Sequence, residues 1–142
     1  MCRTFVTFEW DTPADGERDE HGHLIIPAGK EIADCVHARL RERGFWVTDV
    51  DLHECYGWAF DSVSGGVPVW CLLQRPEPWL INTDVFLPVW HWLRGRKPAQ
   101  QEARVCRAIH EALASEGRAR SIRWFARHEF KRGRGIGGGE QP

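Results

Sequence analysis

The chain has 142 residues, of which 42% are hydrophobic and 11% aromatic. This length and composition suffice to bury the core of one domain, which excludes a wholly disordered protein. No run of about 18 apolar residues occurs, and the first residues lack a basic segment followed by an apolar one, so we expect a cytoplasmic protein with no membrane span. The five cysteines are scattered singly, which argues against a disulfide framework.

The net charge of −1 hides an asymmetry between the two halves of the chain. Residues 1–71 hold 6 Lys and Arg against 13 Asp and Glu, whereas residues 72–142 hold 13 against 7. Either the opposite charges of the two halves pair with each other within one fold, or each half offers a charged surface to a partner.

The first predicted elements are a strand, a loop and a helix. Residues 3–10 are rich in β-formers and predict a strand. Residues 11–23 are polar and acidic and predict a surface loop, after which residues 24–26 extend a short strand or anchor the loop. An apolar stripe predicts a helix over residues 28–43, with Gly44 as its C-cap.

Residues 45–83 carry the pattern of an antiparallel meander, because apolar and polar residues alternate between clusters of turn residues. Strands are predicted near 45–53, 56–63, 67–74 and 78–83, and the clearest hairpin turn is Ser64-Gly65-Gly66. The apolar side chains at even positions are expected on one buried face: Trp46, Val50, Leu52, Tyr56, Trp58 and Phe60. In the third strand both faces are apolar, so the face of Trp70 and Leu72 is either covered or binds something.

The remainder of the chain predicts a second helix and a last strand. Residues 85–97 predict a packed loop or one helical turn, and residues 99–116 a helix that begins after Pro98. Residues 121–130 favour a strand, with a helix as the alternative. Residues 133–142 predict a disordered glycine-rich tail.

Together these elements predict an α+β fold. We expect residues 1–132 to form one domain, with an antiparallel meander sheet of about five to six strands and two helices in the order β-α-β-β-β-β-α-β.

Metal ligation has two candidate pairs. His21 and His23 lie in the acidic loop, and the spacing of His53 and Cys55 would place them on one strand face. No second pair stands at a recognised spacing beside either of them. We therefore predict no metal site.

The sequence carries no decisive catalytic motif. Cys35 and His37 are two residues apart on a predicted helix, so they point to different faces and cannot act as nucleophile and base. Asp49 and Asp51 share a strand face, for which a hydrated sheet edge is a simpler explanation than acid–base chemistry. We expect no cofactor and favour a protein without enzymatic activity.

A protein partner is the leading functional prediction, because surplus aromatic residues and separated charge are typical of interfaces. The candidate surfaces are the acidic loop, the second face of the third meander strand and the loop that follows the meander. Their residues are Asp11, Asp15, Glu17, Asp19, Glu20, Trp70, Leu72, Trp90 and Trp92. For the aromatic sets, a second packed layer or a homodimer is the alternative.

Single-stranded nucleic acid is the second prediction. Residues 118–134 interleave basic and aromatic side chains, which suits phosphate contacts and base stacking. The candidate residues are Arg118, Arg120, Arg123, Trp124, Arg127 and Lys131. The sequence pI of about 6.6 argues against a nucleic-acid-binding domain.

A layout resemblance covers roughly residues 28–125. It rests on a helix that ends in Gly44-Phe45-Trp46-Val47, a Gly-Trp-x-Phe strand at residues 57–60 and a Pro-Trp-Leu-Ile step at residues 78–81. This layout resembles small single-domain bacterial α+β proteins, among them toxin-immunity proteins. The resemblance implies a protein that occludes a partner such as a toxin, and it assigns no functional residue.

Overall fold

The computed structural model describes residues 2–11, 16–54, 56–75, 78–86, 94–133 and 138–142, with residues 131–133 described by their backbone alone. Within these residues the elements alternate as an α+β chain, which confirms the predicted fold class. In chain order they are β1 (Phe5–Trp10), β2 (Glu17–Arg18), β3 (Leu24–Ile26), α1 (Lys30–Glu42), β4 (Trp46–Val47), β5 (Asp51–His53), β6 (Gly57–Ser64), β7 (Val67–Gln74), β8 (Trp79–Asp84), α2 (Pro98–Ser115), β9 (Ala119–Phe125) and α3 (Arg127–Gly133).

Seven of the described strands form one antiparallel sheet. Its order is β4-β6-β7-β8-β1-β9, and β5 pairs with the same edge of β6 as β4. Strands β6, β7 and β8 are the predicted meander. Strand β1 inserts between β8 and β9, so the first strand of the chain lies inside the sheet.

The β6–β7 hairpin turns at the predicted glycines. Ser64 pairs with Val67, and the two residues between them, Gly65 and Gly66, have φ values of 56° and 72°. A two-residue turn of this kind requires positive φ at both positions, which glycine adopts without steric cost. The turn therefore sets the register of the longest strand pair.

Helices α1 and α2 pack against one face of the sheet, which we call the inner face. The apolar stripe of α1 includes Ile32, Val36 and Leu40, and that of α2 includes Val105 and Ile109. These side chains share one core with buried residues of the central strands, namely Val6, Phe8, Trp58, Phe60, Val69, Cys71, Leu73, Trp79, Ile81 and Trp124. One-sided burial leaves the opposite face, the outer face, to be covered in another way.

The prediction that the even positions of residues 46–60 share one buried face is wrong. Val47 pairs with Ser62 and packs toward the core, whereas Trp46 is 67% exposed. The chain leaves the sheet at residues 48–50 and re-enters as β5. The even-numbered side chains therefore lie on one face in β4 and on the other face in β5. Leu52 then lies opposite Trp58 at an uncovered edge and is also exposed, as is Tyr56 in the following hairpin loop.

The outer face is covered at one end by α3. Strand β9 ends at Phe125, and a helix begins two residues later, so the strand predicted over residues 121–130 is five residues too long. Phe130 of α3 stacks on Phe5 with ring centroids 5.0 Å apart and meets Phe125 edge-on at 6.1 Å. The helical alternative is thus correct for the second half of this segment, because its aromatic side chain buries rings of β1 and β9.

The end of the chain contacts β9. Gly139 forms an isolated bridge with Trp124, with hydrogen bonds of 2.7 and 2.8 Å in the two directions. The side chain of Gln141 lies 3.3 Å from His110. For residues 138–142 the expectation of a disordered tail is therefore corrected, since the exposed edge of β9 supplies backbone partners.

We predict that Leu40→Ala lowers the free energy of unfolding by about 2–5 kcal/mol, because it leaves a cavity beneath α1 where Leu40 is 0% exposed. Leu24→Ala is the matched control, since Leu24 is 40% exposed on β3. Urea unfolding of both variants measures the difference. Equal midpoints for the two variants would contradict the assigned core.

Candidate functional site

An exposed group of rings lies on the outer face, at the end of the sheet away from α3. Trp70 on β7 meets His53 of β5 edge-on at 5.1 Å and Phe86, which follows β8, at 6.1 Å. His53 also meets Tyr56 at 5.4 Å with the rings perpendicular. We call these four residues the aromatic surface. Phe86 is 71% and Tyr56 45% exposed, whereas Trp70 and His53 are half-buried, so the aromatic surface is partly open to solvent.

Strand register explains why these rings meet. The two-residue turn at Gly65-Gly66 places Asp61 opposite Trp70, and Trp70 pairs on its other side with Asp84. His53 pairs with Gly57, where an added Cβ would lie 2.5 Å from a backbone oxygen of β7. Glycine at position 57 thus permits the close approach of β7 to β6, the strand pair that carries Trp70 and Asp61.

Two adjoining depressions follow the aromatic surface. The larger has a volume of about 480 Å³ and is lined by His53, Asp61, Pro68, Trp70 and Phe86. The smaller, of about 210 Å³, shares His53, Asp61 and Trp70 with it and extends to Asp49 and Asp51. Together they form one groove, which is lined by both aromatic rings and carboxylates.

The carboxylates of the groove differ in their partners. Asp84, beside Trp70, accepts a hydrogen bond from Arg127 at 2.8 Å. Within the described ranges, no Lys, Arg or His side chain forms an ion pair with Asp49, Asp51 or Asp61. The groove therefore carries uncompensated negative charge beside exposed rings.

Of the predicted protein-binding residues that the structure describes, Trp70 alone lines the groove. Leu72 is buried although it lies on the same face, so it offers no contact surface. Trp90 and Trp92 lie outside the described residues. Sequence reasoning missed His53, Tyr56, Asp61 and Phe86 as members of this site, although a two-residue turn already implied the pairing of Asp61 with Trp70.

The acidic loop is largely engaged within the chain. Asp19 accepts hydrogen bonds from the backbone of His21 and His23 at 2.9 and 2.8 Å, which lowers the pKa of its carboxyl group. Glu20 lies 3.4 Å from His21. His21 and His23 therefore have contacts with acidic residues of the same loop. Asp11 pairs with Arg120, Glu17 is exposed on β2, and Asp15 lies outside the described residues.

Arginines of the segment predicted to bind nucleic acid also form ion pairs within the chain. Arg118 pairs with Glu31 and Glu116 and lies over the Trp10 ring at 4.7 Å. Arg120 pairs with Asp11, and Arg127 with Asp84.

The aromatic half of that segment offers nothing for base stacking. Trp124 is 0% exposed and donates from its indole nitrogen to His110 Nδ1 at 3.1 Å, so it belongs to the core. Arg123 lies over the Phe125 ring at 5.8 Å, and the side chain of Lys131 lies outside the described part of the chain. This arrangement favours ion pairs between these arginines and acidic residues of the same molecule over contacts with nucleic-acid phosphates.

The described thiols and imidazoles do not form a nucleophile and a base. Cys35 donates to Glu116 at 3.2 Å, and burial, followed by that contact, raises its pKa to about 11. Burial also raises the pKa of Cys71. His37 contacts the Thr48 carbonyl oxygen at 2.8 Å and the edge of Phe60. Among the residues that the structure describes, no three His, Cys, Asp or Glu side chains are close enough to hold a metal ion; Cys55 lies outside them.

Comparison of the chain with protein-family models, curated proteins and solved structures found no match. None of the helices in the described ranges combines the length and apolar character needed to cross a bilayer.

Glu102 of α2 is a partly buried carboxyl group on the side of the helix that faces β8. Thr83 donates to Glu102 Oε1 at 2.8 Å, and burial, the largest effect, raises the pKa of Glu102. A folded-state pKa above the unfolded value means that the carboxylate opposes folding. The resulting loss of stability is present at neutral pH and absent once the pH falls below the unfolded pKa of about 4.3.

We predict that Glu102→Gln raises the free energy of unfolding at pH 7 and gives no gain at pH 3. The amide oxygen can still accept from Thr83, while the charge is removed. Urea unfolding at both pH values measures the effect, with Glu17→Gln on exposed β2 as the control. An equal gain at both pH values would show that charge is not its cause.

We predict that replacing Arg120, Arg123 and Arg127 together by alanine lowers stability by at most about 1 kcal/mol for each exposed pair and leaves nucleic-acid binding weak. Filter binding to a labelled single strand across a salt series tests this. A phosphate-binding segment would instead show a log–log salt slope of about −0.7 per contact that the substitutions flatten. Submicromolar binding at physiological salt, abolished by the triple substitution, would place nucleic acid first.

Proposed function

We propose that this chain is a non-enzymatic protein-binding module whose contact surface is the aromatic surface and its groove. The observation that carries the proposal is the contact of half-buried Trp70 with exposed Phe86 on a sheet face that α3, among the described helices, covers at its other end. A large ring that folding leaves exposed retains its apolar area for a partner.

The chemistry of the groove supports this proposal. Tryptophan and tyrosine are enriched among the residues that dominate interface energies, since each buries a large rigid surface at small entropic cost. Trp70 stands near the centre of the aromatic surface, with the polar side chains of Asp49, Asp51 and Asp61 beside it. An apolar centre with a polar rim is the usual arrangement of a protein interface.

A narrower form of the proposal is an immunity-type protein in the cytoplasm of a bacterium, which occludes a toxin. It rests on the layout resemblance and on the absence of a catalytic motif from the sequence. The partner would then be covered by this chain and not chemically altered by it.

We predict that Trp70→Ala combined with Phe86→Ala reduces capture of the partner by at least about tenfold, because central aromatic residues each contribute about 2 kcal/mol or more at interfaces. The measurement is quantitative mass spectrometry of proteins retained from a native-host lysate by the wild-type chain and by the variant. Ile25→Ala, which truncates an exposed apolar residue on β3, is the control.

Three outcomes would count against the proposal. A wild-type chain that retains no protein contradicts the binding-module function. Equal retention by all three chains places the interface elsewhere. Sedimentation of the wild-type chain as a dimer, with the double variant as a monomer, would assign the surface to a second copy of this chain.

A further inference from the structure

The aromatic surface carries an unequal distribution of charge. Trp70 is flanked on its two neighbouring strands by Asp61 and Asp84, both carboxylates. Arg127 neutralises Asp84 from α3, whereas Asp61 has no ion-pair partner among the described residues. The carboxylate of Asp84, on one side of Trp70, is thus neutralised, whereas the carboxylate of Asp61, on the other side, is not.

The groove contains little that would oppose a bound cation. Asp49 and Asp51 extend the negative charge along its smaller depression, which also contains Asp61 and Trp70. Arg127, which reaches Asp84 beside Trp70, is already held by that carboxylate at 2.8 Å. Among the described residues that line the two depressions, His53 is the one basic side chain, and it faces three carboxylates. A positively charged group in the groove would therefore meet carboxylates without displacing an existing ion pair.

The rings of the groove suit a planar cation. An aromatic face attracts a cation that lies over it, and the attraction grows as water is excluded. A guanidinium group stacks on such a face and can also donate two parallel hydrogen bonds to one carboxylate. An ammonium group is more strongly hydrated and lacks the flat face.

We propose that the groove binds an arginine side chain of the protein partner, with the guanidinium against Trp70 and its hydrogen bonds directed to Asp61. This inference rests on the proposed function and names the chemistry that the partner presents. The negative charge in the groove and the aromatic rings beside it both favour a guanidinium group. His53 and Phe86 form the walls on either side of Trp70.

The test uses the full-length protein and three capped tripeptides, acetyl-Gly-X-Gly-amide, in which X is arginine, citrulline or lysine. Citrulline keeps the shape of arginine and lacks its charge. Two-dimensional NMR titration follows the Trp70 indole N–H and the backbone amides of His53 and Tyr56. We expect saturable shifts with the arginine peptide, binding about threefold to fivefold weaker with lysine, and no saturation with citrulline.

The matched variants are Asp61→Asn in the groove and Asp34→Asn on the exposed side of α1, which make the same substitution inside and outside the groove. Asp61→Asn should weaken arginine binding about threefold to fivefold, and Asp34→Asn should leave it unchanged. Raising the salt concentration from 0.05 to about 0.5 M should weaken wild-type binding, which tests the charge term even if Asp61→Asn fails to fold.

Equal titration by the arginine and citrulline peptides, or equal affinity of the two variants, would overturn the inference. Lysine bound as tightly as arginine would overturn the assignment to a guanidinium. These failures are distinct from failure of the binding-module proposal, because partner capture that depends on Trp70 and Phe86 would persist in both cases.

Discussion

The packing of α1 and α2 on a single face of the sheet is the constraint on which the rest of the structure depends. Most of the large core side chains of the central strands point into that layer, although Leu72 is buried on the outer face, so folding is driven mainly from one side. Of the described helices, α3 packs on the outer face, where its Phe130 covers the rings of β1 and β9. Trp70 remains partly open because no described element packs over its end of the sheet.

Charge is arranged around the same two layers. Arginines of β9 and of the turn before it reach back to acids of the first half of the chain, as Arg118 does to Glu31 and Arg120 to Asp11. These pairs are exposed, so each contributes little to stability. Asp61, beside Trp70, has no ion-pair partner among the described residues.

The aromatic surface and Asp61 illustrate how a binding site can form from residues that stabilise little by themselves. An exposed ring contributes almost nothing to folding, and an unpaired surface carboxylate contributes equally little. Placed side by side on the sheet they would give the proposed site a pre-organised form, because strand pairing holds their positions before any partner arrives. Placement by β6 and β7 therefore complements the chemistry of Trp70 and Asp61 in this proposal.

Local patterns in the sequence determined the α+β class, the approximate bounds of α1 and α2, and the Gly65-Gly66 turn, since helix periodicity, Pro98 and turn glycines act over a few residues. Tertiary structure decided on which face of the sheet Trp46 and Leu52 lie, because the chain leaves the sheet between them. It also decided that residues after Phe125 form a helix, which buries Phe130 against rings distant in sequence. The meeting of His53 and Phe86 at Trp70 depends on strand order, which brings β5 and β8 to opposite sides of the β6–β7 pair, and no local pattern encodes that order.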